Sequence, residues 1–199
     1  MLEALINEVK QYDYHVIDDG TNHDLSFIPT DRLTKLEHGG KNRYWFNYTI
    51  GINKFLDSGK LNCLFLTDDV SNVDFHSIVE ITNQMKSTHY TINLINDNRK
   101  HCWGHPKPAK DKYDNLINKG FFDCGGITNR ATLKKIKLKP MPKTWWVEGR
   151  SSGVGYQMTR QLKQHNVTMW TPKKSLAYHG DHESVMHPKE RIKNPLISL

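Results

Sequence analysis

Apolar residues at positions 2, 5, 6 and 9 have helical spacing and predict a first helix over residues 2–10. Tyr14-His15-Val16-Ile17 reads as a short strand that ends in Asp18-Asp19-Gly20-Thr21-Asn22. Residues 23–42 carry Pro29 and Gly39-Gly40 and show no period. From Asn42 to Leu56 the apolar positions return to helical spacing, with Gly59 as a stop. Leu61 to Leu66 is a continuous apolar run too short for a helix, which predicts a fully buried strand. It ends in Thr67-Asp68-Asp69-Val70. A helix is expected over 73–85 with Ser71 as its cap, and a partly alternating strand over 90–95.

The second half is more broken. Residues 96–113 are polar, contain Pro106 and Pro108, and read as a loop. Asp114 to Lys119 is expected to form a short helix stopped by Gly120, and 121–127 a strand-like segment with the pair Gly125-Gly126. A helix follows over 130–136. The stretch 140–155 holds two prolines, three glycines and two tryptophans, the make-up of a structured active-site loop. Tyr156 to His165 predicts a helix, and 176–178 a last short strand before a histidine-rich tail. Strands alternating with helices indicate an α/β domain with a central sheet flanked by helices.

Composition bounds this picture. The chain has 199 residues, enough for one domain with a full core. It has no internal repeat and no apolar run near the roughly 20 residues that span a bilayer. The N-terminus is too polar for a secretory signal, and three separated cysteines do not suggest a disulfide framework. The expectation is a reduced, cytoplasmic protein. Lys and Arg number 28 against 21 Asp and Glu, a net charge of +7. That charge attracts polyanions: nucleotides, nucleic acids or a membrane surface. It is concentrated in 134–139 and the C-terminal third. The run 134–139 is either a solvated helix end or a contact for phosphates.

Two strands end in paired carboxylates. Asp68-Asp69 lies where an α/β sheet binds ligands, and two carboxylates there repel unless a cation or hydrogen bonds compensate them. A hard divalent cation with a diphosphate fits such a site; a helix N-cap is the alternative. Asp18-Asp19 can accept hydrogen bonds from a base and a ribose, or simply make a β-turn. Lys41 and Arg43 can meet phosphate or base at a helix start, or form an ordinary basic first turn. In the tail, one histidine of His179-Gly180-Asp181-His182 can complete a metal site held elsewhere, or the tail is solvated. Glu148, beside Trp145-Trp146, has the surroundings of a general base or is a surface charge.

Taken in order, these pieces resemble the GT-A fold glycosyltransferases of the family 2-like group. Val16-Ile17-Asp18-Asp19-Gly20-Thr21 is similar to their nucleoside-binding turn, and Gly39-Gly40-Lys41-Asn42-Arg43 to a helix start near base or phosphate. Leu64-Phe65-Leu66-Thr67-Asp68-Asp69-Val70 is similar to the strand with the DXD metal motif. Phe122-Asp123-Cys124-Gly125-Gly126 leads to Arg130, and Ser175-Leu176-Ala177-Tyr178-His179 is similar to a C-terminal Ser-Leu-Val-x-His. The resemblance spans residues 12 to about 187. It implies a single Rossmann-like GT-A domain over 1–199, with a nucleotide-sugar-binding half (1–95) and an acceptor-binding half (96–199).

It also implies a nucleotide-diphosphate sugar donor and a Mn2+ or Mg2+ ion. Asp69 and His179 would contact the metal. Asp18, Asp19, Lys41, Arg43 and Asp68 would bind the nucleotide. Transfer would be inverting, onto a hydroxyl of a glycan or of a modified base in DNA. The chain departs from the family pattern in three places. It begins at the first helix, without the usual first strand. Thr67 stands at the first DXD position. The family's usual base is replaced by Glu148, with Asp181 and Asp123 next in order. A non-catalytic nucleotide- or nucleic-acid-binding module and a nucleotidyltransferase are the competing classes.

Overall fold

Amphipathic patterning and the strand ends above find their places in a mixed α/β fold. The computed structural model describes residues 2–37, 40–96, 112–122, 125–142 and 153–179, the backbone alone at 40–42 and 179. Helix α1 is Leu2–Val9, α2 Gly40–Asp57, α3 Phe75–Gln84, α4 Arg130–Leu133 and α5 Val154–Gln164. The strands are β1 (Val16–Asp18), β2 (Leu33–Lys35), β3 (Asn62–Phe65), β4 (Val70–Ser71), β5 (Tyr90–Asn93), β6 (Leu116–Asn118), β7 (Gly126–Asn129), β8 (Thr168–Pro172) and β9 (Tyr178–His179).

Five strands form the central sheet in the order β3-β7-β5-β8-β6. Only β5 and β8 are parallel neighbours; the other three pairings are antiparallel. Strands β1 and β2 form a separate parallel pair, and β4 pairs antiparallel with β9. The sheet interleaves β3 and β5 from the first half of the chain with β6, β7 and β8 from the second.

Alternation along the strands sends side chains into two cores. Leu64, Ile92, Ile127 and Trp170 face a cluster with α1 and α3. Cys63, Phe65 and Met169 face the other, built from Tyr48 and Ile52 of α2, Leu133 of α4, and Met158 and Leu162 of α5. The sheet is therefore covered by helices on both faces. No described helix is long and apolar enough to cross a membrane.

Several local expectations are corrected. Residues 116–118 are a strand, not part of a helix over 114–119: adjacent Leu116 and Ile117 take opposite faces, and pairing with β8 outweighs helical propensity. Strand β8 has no counterpart in the sequence reading. Four of its five residues are buried, so it shows no alternation, and its Pro172 sits at the strand end. Strand β3 is an edge strand with an exposed first residue, not a fully buried one, because among the described residues only β7 pairs with it. The cap of α3 is Asp74, not Ser71: its Oδ1 accepts from Ser77 N at 3.0 Å, while Ser71 belongs to β4.

Gly126 explains the glycine pair. A Cβ there would lie 2.3 Å from Ile92 O, so the close approach of β5 and β7 backbones requires glycine. Arg130, after that pair, is structural. Its guanidinium donates to Leu56 O, to Phe55 O at 3.3 Å and to Lys60 O at 3.4 Å, capping the C-terminal turn of α2 and the loop beyond it.

Candidate functional site

Helix α2 sets the level at which both acidic turns emerge. Gly51 leaves room for Ile17, whose Cδ1 would be 3.4 Å from a Cβ at that position. Tyr48 stacks on Phe65 with ring centroids 5.4 Å apart. Ile17 immediately precedes Asp18, and Phe65 comes just before Leu66-Thr67-Asp68-Asp69. Positions 48 and 51 are about 4.5 Å apart along a helix axis. The C-terminal ends of β1 and β3 thus meet the same turn of α2, although the two strands belong to different sheets.

At the end of β1, Asp18 is only 8% exposed. Its Oδ1 accepts from Thr21 N at 3.1 Å, closing a turn in which Gly20 has φ +80°. Its Oδ2 is buried and has no hydrogen-bond partner among the described residues. Asn47, one helical turn before Gly51 on the face of α2 toward β1, is also buried, and its Oδ1 is likewise unmatched there. Asn47 was not singled out in the sequence: one polar residue on an apolar helix face looks like an ordinary irregularity. Two buried acceptors without donors are costly, and a ligand donating N–H or O–H groups would satisfy them.

At the end of β3, Val70 N donates to Thr67 O at 3.1 Å, so Asp68 and Asp69 occupy the middle of a tight β-turn. This turn joins β3 to β4 and is not a helix N-cap. Asp68 is exposed and Asp69 partly buried. Thr67 Oγ1 donates to Asp69 Oδ1, which orients the carboxylate. Thr67, the odd residue of the motif, therefore acts on its neighbouring acid.

The chain from β8 then brings a distant residue to this turn. Leu176 N donates to Leu94 O at 2.8 Å, and Leu176 O accepts from Asp74 N at 2.8 Å. The segment so held continues into β9, where His179 pairs with Val70 and Tyr178 with Ser71. His179 and Asp69 are 110 positions apart in sequence, yet the backbone of His179 lies opposite the residue next to Asp69. Among the described residues, no three His, Cys, Asp or Glu side chains converge as a metal cluster.

The other expected site residues fall as follows. Arg43 lies in the first turns of α2, exposed, its guanidinium 5.4 Å from the Phe46 ring centre. Lys41 is in the first turn of the same helix by its backbone. Asp19 follows β1 directly and is partly buried. Glu148, Asp181 and Asp123 lie outside the described residues. Cys63 is no reactive thiol: burial pushes its pKa up to about 12. No protein-family model matches this chain, and no curated protein matches it significantly.

Proposed function

We propose that this chain is a metal-dependent glycosyltransferase that moves a sugar from a nucleotide-diphosphate sugar to an acceptor hydroxyl. The observation that carries the reading is the β4–β9 pairing, which sets the backbone of His179 opposite Val70, the residue after Asp69. Asp18, with a buried oxygen unmatched among the described residues at the same helix turn of α2, supports it as a nucleoside contact. Carboxylate and imidazole donors suit Mn2+, and Mg2+ suits the carboxylate with phosphate oxygens. Asp69 and His179 would hold the ion, which when bound supplies charge neutralisation for a diphosphate leaving group. On this reading the mixed central sheet with helices on both faces is a GT-A domain.

The chain's own residues then divide the work. Asp18 and Asp19 accept hydrogen bonds from the nucleoside. Asp68, exposed beside Asp69, would contact the nucleotide. Lys41 and Arg43, in the first turn of α2, would bind phosphate beside the helix N–H donors. The proton of the acceptor hydroxyl goes to Glu148, with Asp181 and Asp123 as alternatives, and inversion follows from a single displacement. The acceptor is a glycan or a hydroxylated base in DNA.

Thermal-shift screening against nucleotide sugars with and without Mn2+ tests the reading. One donor should raise Tm only when metal is present, and Asp69→Ala should abolish that shift and lower donor turnover by at least a hundredfold. Released nucleoside diphosphate is the expected product. Pyrophosphate instead would identify a nucleotidyltransferase. No response across the panel would leave a binding module.

A further inference from the structure

Residues 130–142 and 154–166 together hold seven Lys and Arg and not one Asp or Glu. That equals the net charge of the entire chain. The two segments pack side by side, and the packing is specific. Gln161 Oε1 accepts from Lys137 N at 2.8 Å, and its Nε2 donates to Lys137 O at 2.9 Å. Gln157 repeats this with Lys139, at 2.9 and 2.8 Å. Two glutamines one helical turn apart thus act as a substitute strand and clamp 137–139 along α5.

The clamp fixes which way the side chains go. Ile136 and Leu138 are buried in the core under α5, so the intervening Lys137 and Lys139 point outward and are exposed. Residues two apart on extended backbone are about 6.6 Å apart, a spacing on the scale of neighbouring phosphates along a nucleic-acid strand. Arg160, exposed, flanks the two glutamines on α5 at helical spacing, and Lys134, also exposed, precedes the clamped segment. Lys135 Nζ lies 2.9 Å from His89 Nε2, which extends the basic face to the start of β5. Among the described residues, Lys134, Lys137, Lys139 and Arg160 make no ion pair.

We infer that this face of α5 and the clamped segment 137–139 binds the phosphate backbone of a nucleic acid. A backbone held by four hydrogen bonds presents its lysines without the ordering cost that a flexible basic tail pays. Among the described residues, the exposed large apolar side chains are Tyr12, Phe27, Leu61, Val79 and Tyr178, and none belongs to α5 or to 137–139. A membrane surface is therefore the poorer partner, because charge without an apolar or lipid anchor gives weak attachment.

Fluorescence anisotropy with labelled 20-nucleotide single-stranded and duplex DNA, in 50–200 mM salt and without metal or sugar donor, tests this apart from glycosyl transfer. Wild-type binding should weaken more than tenfold across that range. Lys137→Glu with Lys139→Glu should weaken it at least tenfold at 50 mM and reduce the salt slope by about two. Lys10→Glu with Lys86→Glu makes the same change of net charge elsewhere and should alter affinity less than threefold. Circular dichroism melts check that each variant is folded. The inference is overturned by absent wild-type binding at 50 mM or by equal losses in the two double variants. Tighter binding to phosphatidylserine vesicles than to DNA overturns it as well.

Discussion

Single residues in this chain do tasks that their type alone does not announce. Gly126 is needed for what it lacks. A methyl group there would collide with the backbone of β5, which unlike a flexible side chain cannot move aside. Gly126→Ala is expected to destabilise the fold by about 1–3 kcal/mol, read as a lower urea midpoint with an unchanged m-value. Asp18 is legible in the sequence as part of an acidic turn. Its burial is not, nor is an Oδ2 unmatched among the described residues, because both depend on how β1 packs against α2. Asn47 was invisible for the same reason.

At the scale of elements, the joints matter more than the elements. Arg130 ties the end of α2 to the start of α4 through the carbonyls of Phe55, Leu56 and Lys60. Arg130→Met should cost about 2 kcal/mol, the scale of a hydrogen bond to a charged group. Arg130→Lys should recover only part of it, since an ammonium cannot fork across several carbonyls. Urea titration of both variants measures the difference. The helices α1, α2, α3 and α5 were readable because their apolar stripes repeat over two turns or more. The three-residue β6 and the doubly buried β8 leave no such signal, since neither length nor alternation marks them.

At the scale of the whole molecule, charge and burial set a pH response. Burial lowers the pKa of His15, with Lys54 adding to it and Asp31 opposing. Burial also lowers that of His89, joined by Lys135 and His165. Both histidines are held neutral in the fold, so the unfolded chain takes up protons first as pH falls. Their stabilising contribution is complete above pH 6.5, the unfolded value, and is lost as pH falls through 6.5 toward the lower folded pKa values. The urea midpoint should therefore be lower at pH 5.5 than at 7.5, and His89→Gln should reduce that difference. Asp24 and Asp74, whose pKa values are lowered chiefly by backbone hydrogen bonds from Ser26 and Ser77, act in a separate window below pH 3.8.

The sequence by itself determined the α/β class, the long helices, and the two acidic turns at strand ends, because hydrophobic period and turn chemistry are local properties. It also held the excess of positive charge in 130–166. Tertiary structure alone decided the order of the strands, the meeting of β1 and β3 at one turn of α2, and the pairing that carries His179 to the Asp69 turn. It alone decided that Gln157 and Gln161 would hold a run of lysines as a fixed basic segment. Each of these joins residues far apart in the chain, and contacts across such separations leave no period in the sequence between them.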